Sequence, residues 1–492
     1  MWFNLLLALV SASAAGALWT RSGLASGLSL GFAMLSLWQV FCATTASRRP
    51  ASPVILRLGS FAWTMDDFCR GWIITGETGS GKTLGGINAM LWQVSKNCPR
   101  WGGICIDDKG LYWETLSEMM RHLGRSDDLI LLKVRPEDAP TTWQPPHTFN
   151  FLEYARLPFS AKAKNVCDVA ASLGQGGDQP FFRVQAHLQM EFAFRALKCA
   201  GLPLTLEGTF ELLSSERLLK DVMEMIEKKG TPEAKSLMSH YEDAFKNQPA
   251  EQLGGVKATL SNRLKYFTDP DIAAVFCPAR SSFDFGEIDQ GKIICVSIPQ
   301  RYQVERRYIH TLLKLMFASH AVLRFDRPAA ERAKDNLIVL WGDEAQKIVT
   351  ANDDGTSDYN VVDVIREARA TMVFATQTYT SLIPPLNGDE KKAKVLIANL
   401  ANRITFKAAD EDSAKIAADT LGKRKVRKRT YGWSSGRRST SWTEEDKYWI
   451  EPHEFRRLRK FQAVVQHCEY GFRRMVLPPC GTDGQIPEWY RG

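Results

Sequence analysis

The chain has 492 residues, 45% of them hydrophobic and 24% charged, and carries a formal net charge of +8. That length holds two or three domains with sizeable cores, and the balance excludes a low-complexity or disordered chain. The excess charge is local: residues 423–438 contain eight Lys or Arg and no acid, which equals the whole excess and leaves the remainder balanced. Ten cysteines form no C-x-x-C pair and sit by no His cluster. Their spacing suggests neither a zinc site nor a redox pair, and the main body reads as belonging to a reducing, cytosolic environment.

Residues 2–19 and 22–47 each carry no charge. Either run is long enough to span a hydrocarbon core, for which about 20 apolar residues suffice. With only Arg21 charged between them they predict a transmembrane helical hairpin over 1–47. A cleaved signal peptide is the competing reading, because Ser11-Ala12-Ser13-Ala14 resembles a small-residue cleavage site. No positive charge precedes the first run, however, and a second apolar run follows at once. Arg48 and Arg49 flank the second run and place the body in the cytoplasm by the positive-inside rule. Gly23, Gly27 and Gly31 form two overlapping G-x-x-x-G steps, either a close-packing helix face or plain membrane-helix composition.

After a short linker, buried strands alternate with helices. Strands are predicted at 72–75, 103–107, 129–134, 293–298, 337–343, 372–377, 404–407 and 463–467, with helices such as 306–323 and 361–370 between them. Short apolar strands of this kind belong to a parallel sheet covered on both faces. From about 158 to 276 the β signal lapses and amphipathic helices take over, at 181–200, 215–229 and 232–246. The predicted fold is therefore α/β, with a nucleotide-binding domain in two parts (48–157 and 277–492) interrupted by an all-α domain at 158–276.

The stretch Gly76-Glu77-Thr78-Gly79-Ser80-Gly81-Lys82-Thr83 fits the phosphate-loop pattern G-x-x-x-x-G-K-[ST] without a mismatch. A buried strand precedes it and a helical pattern follows from Leu84, so its backbone N–H groups and the helix dipole converge on one anion. Lys82 is placed to neutralise the β/γ-phosphates of ATP, and the Thr83 hydroxyl to ligate Mg²⁺. The strand 337–343 ends in Asp343-Glu344, giving an acid to hold Mg²⁺ and a second to orient and polarise the attacking water. Gln377 closes the next strand, where it can touch both γ-phosphate and water. Arg366, and after it Arg369, are candidates for a residue that completes a neighbouring subunit's site; surface charge is the plainer reading of either. Asp107 follows the second strand and either enters the metal shell or fixes its own loop. The basic stretch Lys423, Arg424, Lys425, Arg427, Lys428, Arg429 alternates with Tyr431, Trp433 and Trp442 between predicted elements. Cations beside stacking rings suit single-stranded DNA, and a solvated loop has the same composition.

Taken in order, these motifs resemble the type IV secretion coupling proteins, the TraG/TraD group of conjugation ATPases, nearly end to end. The hairpin, the phosphate loop, Asp107 with Lys109-Gly110, Phe149-Asn150-Phe151-Leu152, 283–299, Gly342-Asp343-Glu344, 366–377, 400–422 and Glu451-Pro452-His453-Glu454-Phe455 carry the resemblance. It implies a RecA-like homohexameric ring in the bacterial inner membrane, with body and both termini cytoplasmic. Such a ring binds DNA with little sequence preference, hydrolyses ATP and delivers a relaxase–DNA complex to the secretion channel, meeting relaxosome proteins through its helical insertion. Asp108 and Leu111 stand where the family often has Pro and an acid, and no long acidic C-terminal tail is expected. A soluble helicase shares the Asp343-Glu344-Ala345-Gln346 box, but here the acids lie far beyond the phosphate loop. A phage-assembly ATPase lacks the 366–377 block. A membrane receptor that binds nucleotide without turnover is the third alternative, and ABC-type transport is disfavoured by the lack of a Leu-Ser-Gly-Gly-Gln stretch.

Overall fold

The computed structural model describes residues 53–480 apart from 171, 174–179, 352–356 and 435–436. The predicted hairpin at 1–47 lies outside the described residues, and no described helix is long and apolar enough to cross a membrane. All eight predicted strands form. Two further strands, in the stretch expected to be linker, form an N-terminal hairpin: β1 (Val54–Leu58) and β2 (Phe61–Thr64), antiparallel to each other. The buried Trp63 indole of β2 donates to Asn402 Oδ1 at 2.8 Å, tying this hairpin to the main sheet.

That sheet contains β3 (Trp72–Thr75), β4 (Gly102–Ile106), β5 (Leu129–Lys133), β6 (Ile293–Ser297), β7 (Ile338–Gly342), β8 (Ala370–Thr376), β9 (Asn402–Thr405), β12 (Gln462–His467) and β13 (Gly471–Val476). Its order is β13-β12-β9-β3-β8-β7-β4-β6-β5. The seven strands from β9 to β5 are parallel, and β12 and β13 add an antiparallel edge. β13 was not predicted, because Gly-Phe-Arg-Arg-Met-Val is a half-exposed edge strand with too few apolar residues to stand out.

Alternate residues of each strand feed two cores, as a pleat with period two requires. Ile73, Ile104, Leu340 and Met372 pack on one face; Trp72, Ile74, Cys105, Trp341 and Val373 pack on the other. Among the described residues only helices come between β5 and β6, from Phe159–Ala170 through Pro180–Ala200 to Pro270–Phe276. Their apolar faces belong to the same continuous core as one face of the sheet. This is burial shared between the helices and the sheet, and it makes the orientation of the helical segment part of the fold.

Two local expectations are corrected. The helix expected at 361–370 is a short helix Asp358–Val361 followed by a 3₁₀ turn Ile365–Ala368. Arg369 closes that turn in the left-handed region (φ 52°), so the chain can enter β8 at once and no continuous helix fits. The basic stretch is not a loop between elements. It pairs as β10 (Lys423–Ser434) with β11 (Arg437–Tyr448) in an antiparallel hairpin.

Candidate nucleotide-binding site

The register brings the carboxyl ends of the central strands level. Thr75 of β3 pairs with Thr376 of β8, and Gly342 of β7 lies beside Phe374 of β8 and Ile106 of β4. The residues that follow each strand therefore meet along one edge, where open α/β sheets bind ligands. A cleft of about 440 Å³ opens there, walled by the phosphate loop, Asp107, Tyr112, Asp343, Glu344 and Lys460.

The loop is built as its sequence requires. Gly79 (φ 80°) and Gly81 (φ 109°) take left-handed conformations, which a Cβ disfavours. The chain then enters a π-helical turn, Lys82–Ile87, before the α-helix Asn88–Asn97. Lys82 is buried, and its ammonium donates to the carbonyls of Gly76 (2.6 Å) and Glu77 (3.2 Å). Burial lowers its pKa from the usual lysine value, and the nearby Asp343 and Glu344 oppose that shift. Glu77 is itself fixed, its N–H donating to the Lys407 carbonyl at 2.7 Å and its carboxylate pairing with Lys407 Nζ at 2.8 Å. No reading of the sequence flagged Lys407; it acts across more than three hundred residues.

The acid pair meets the loop directly. Thr83 Oγ1 donates to Asp343 Oδ2 at 3.0 Å, and Asp343 Oδ1 accepts from the Glu344 N–H at 2.9 Å. Glu344 sits in the left-handed region (φ 52°), uncommon for a residue with a Cβ, and this turns its carboxylate back over the strand end. There Gln377 Nε2 donates to both of its oxygens at 3.3 Å, and Gln346 Nε2 donates to Oε2. Gln346 in turn accepts from Thr376 Oγ1 at 2.8 Å. The predicted Thr83, Asp343, Glu344 and Gln377 thus form one connected polar chain. A hydroxyl and a carboxylate 3.0 Å apart are a hard-oxygen pair suited to Mg²⁺, which keeps waters and phosphate oxygens as its other ligands. Among the described residues no cluster of three or more His, Cys, Asp or Glu forms a metal cage, in keeping with that mode.

Asp107 resolves toward fixing its loop. Its carboxylate accepts the N–H groups of Lys109, Leu111 and Tyr112, each at 3.1 Å. Its neighbour Asp108 pairs with Lys347 and with Arg306 Nη2 (3.3 Å), so the departure from the family pattern still has structural partners. Arg366 lies before the amino end of β8, at the sheet edge opposite its own phosphate loop. It is exposed, and its guanidinium has no partner among the described residues. Arg369 instead donates to the Asp335 carbonyl at 2.8 Å, which spends it on its own subunit.

In the hairpin, the register sets Lys425 opposite Asp446 and Arg427 opposite Glu444, the latter an ion pair at 3.2 Å. Further toward the tip Arg429 lies over the rings of Tyr431 (4.9 Å) and Trp442 (5.5 Å), and Trp442 is 63% exposed. The basic residues predicted to touch DNA are therefore partly neutralised near the base of the hairpin and ring-flanked further out.

Burial, with Glu344 and then Asp107 adding to it, pushes the Asp343 carboxyl up to about 6, well above its unfolded value near 4. The protonated form thus stabilises the ligand-free fold below about pH 4, a contribution lost as pH rises through 6. Mg²⁺ held by Asp343 would need the ionised form, so on that assignment its affinity is expected to fall about tenfold per pH unit below 6. Comparing the melting-temperature gain from Mg²⁺ plus a non-hydrolysable ATP analogue at pH 5 and pH 7.5 checks this; equal gains would count against it.

A phosphate loop closing β3, an acid pair closing β7 and a Gln closing the strand between them define a RecA-like P-loop nucleotide-binding protein. The family model for type IV secretory system conjugative DNA transfer matches residues 48–469, and the chain belongs to that family. Its function is accordingly that of a coupling protein of conjugative DNA transfer. Among solved structures it is similar to the bacterial conjugative coupling protein TrwBdeltaN70 in its unbound form, at 17% identity and a TM-score of 0.61 over 91% of this chain and 93% of that one. TrwB in complex with the ATP analogue ADPNP (16%, TM-score 0.59) and with ADP and Mg²⁺ (16%, TM-score 0.57) each cover 88% of this chain and 91% of theirs. At such identities the likeness shows the fold. No curated protein sequence matches the chain.

Proposed function

We propose that this protein is a membrane-anchored ring ATPase that couples Mg²⁺-dependent ATP hydrolysis to recruitment and translocation of DNA, as a relaxase–DNA complex, through a type IV secretion apparatus. The observation that carries the reading is the connected chain Thr83–Asp343–Glu344–Gln377 beside the phosphate loop. In this reading the β/γ-phosphates take over Lys82 from the Gly76 and Glu77 carbonyls. Thr83 and Asp343 hold Mg²⁺, whose charge neutralises the phosphate oxygens. Glu344 orients the attacking water, and Gln377, bonded to Glu344, reports the γ-phosphate to the rest of β8. The binding of ADPNP, and of ADP with Mg²⁺, by TrwB supports the same ligands here.

Arg366 acts from the neighbouring subunit of a homohexamer, since its own sheet separates it from its own phosphates. The hairpin β10–β11 supplies a basic, aromatic surface for DNA, and residues 1–47 anchor the ring in the inner membrane with its body in the cytoplasm. Relaxosome proteins and channel components are its further partners.

Full-length protein in detergent is expected to hydrolyse ATP faster with single-stranded DNA than without it. Lys82→Ala should lower turnover by at least about a hundredfold, as for loss of a group that stabilises transition-state charge. Arg366→Ala subunits mixed with wild type should depress the rate by more than their share of the mixture. A wild type that binds ATP and never turns it over under any DNA condition would leave the receptor reading in its place.

A further inference from the structure

The segment after Glu451–Phe455 has no role in the mechanism above, yet it touches the phosphate loop. It runs Arg456-Arg457-Leu458-Arg459-Lys460-Phe461, four cations in six residues, and enters β12. Phe461 anchors it. Its N–H donates to the Ser80 carbonyl at 2.9 Å, and its own carbonyl accepts from the Leu477 N–H at 2.8 Å. To make both bonds Phe461 adopts φ +65°, a conformation bulky residues seldom take. Its ring lies on the loop so closely that a Cβ at Gly81 would come within 2.5 Å of Cδ1, and one at Gly85 within 3.3 Å. Gly81 and Phe461 therefore define each other's position.

Lys460 follows from that anchor. It walls the nucleotide cleft, and its ammonium stands 5.2 Å from the centroid of the Phe461 ring that covers Gly81. No carboxylate pairs with it among the described residues: Asp107 is engaged by backbone N–H groups, Asp343 by Thr83 and Glu344 by the two glutamines. A cation without an ion-pair partner, set at an anion-binding loop, calls for an anion.

Sheet order tells which part of the anion. β7, bearing Asp343 and Glu344, lies two strands from β3 on one side; β12 lies two strands away on the other. The acids mark the γ-phosphate flank, so Lys460, beside the Phe461 ring that lies over Gly81 and Gly85, approaches from the opposite flank. We propose that Lys460 is a nucleotide-binding residue that contacts the α-phosphate end of the bound phosphate chain, seated there by Phe461. The inference rests on the nucleotide-binding reading above and adds a wall to that site from a segment some 380 residues away in sequence.

The test is equilibrium titration of full-length protein with a fluorescent ADP and a fluorescent non-hydrolysable ATP analogue, both with Mg²⁺. Lys460→Ala is expected to weaken both by about tenfold, the scale of one charged hydrogen bond. Lys460→Arg should stay within about threefold of wild type, and ligand-free melting should be unchanged, since the side chain is exposed. Unchanged affinity in Lys460→Ala overturns the proposal alone. So does a loss confined to the triphosphate, which would put the contact at the γ end. A wild type that binds neither ligand overturns the nucleotide-binding reading, and this proposal with it.

Discussion

Replacing Glu344 with Gln should lower ATP turnover about a thousandfold while leaving Mg²⁺–ATP affinity within about threefold of wild type. The substitution keeps the side chain's size and the strained left-handed backbone at this position (φ 52°). It removes the negative charge that, in the proposed function, orients and polarises the attacking water, a contribution that typically amounts to 10²–10⁴-fold. Binding should survive because the proposed function gives the phosphates and metal to Lys82, Thr83 and Asp343, and Glu344 touches none of those three through its own carboxylate. The new amide oxygen still has two lone pairs to accept from Gln346 and Gln377, and its NH2 group can donate to Gln377 if that amide flips, so the local hydrogen bonding can be kept. Steady-state phosphate release beside equilibrium binding of labelled ATP separates the two effects. Turnover within tenfold of wild type would move the water-positioning role off Glu344.

The second large effect concerns stability. Lys314, on the helix Gln303–Leu323, donates to Asp358 Oδ2 and, at 2.8 Å, to Thr350 Oγ1; the Lys314 and Asp358 side chains are each 1% exposed. Asp358 also accepts the Thr350 N–H at 2.7 Å. Burial depresses the Lys314 pKa, and the Asp358 charge is the first force opposing that shift. Asp358→Ala strands an ammonium in the core and is expected to cost about 3–5 kcal/mol. For a chain this long, with an unfolding entropy of about 1 kcal/mol/K, the melting temperature should drop by roughly 3–5 °C. The double variant Lys314→Met, Asp358→Leu removes both charges and should recover most of the loss, because a buried pair is stabilising mainly relative to half of itself. A thermal melt in which the single variant matches wild type would sink this account. The pair matters for the site because it fastens the segment that follows Glu344 to the long helix beneath.

How much of this was legible beforehand depended on the range of each interaction. Seven of the eight strands are parallel and showed as short apolar runs, the antiparallel β12 showed by its buried Ala463, Val464 and Val465, and the helices at 181–200 and 306–323 showed by their spacing. The turn at 365–369 misled, since the surrounding sequence keeps a helical pattern and only a left-handed Arg369 breaks it. The hairpin β10–β11 was hidden for another reason. Its strands have no apolar alternation, and the pairings Arg427–Glu444 and Arg429–Trp442 form only once the two strands meet.

The same division runs through the nucleotide site. The sequence by itself determined the phosphate loop, the acid pair and Gln377, because each is a short motif whose chemistry depends on neighbouring residues and on the strand it closes. Only the tertiary structure decided that Thr83 bonds Asp343 across 260 positions, that Asp107 is committed to its own loop, and that Arg369 is engaged at home while Arg366 is not. It alone brought Lys407 and Lys460 to the loop. Those contacts come from strand order and register, which set distant chain segments side by side at one edge of the sheet. A local pattern records what a residue can do, whereas sheet order decides which residue it does it with.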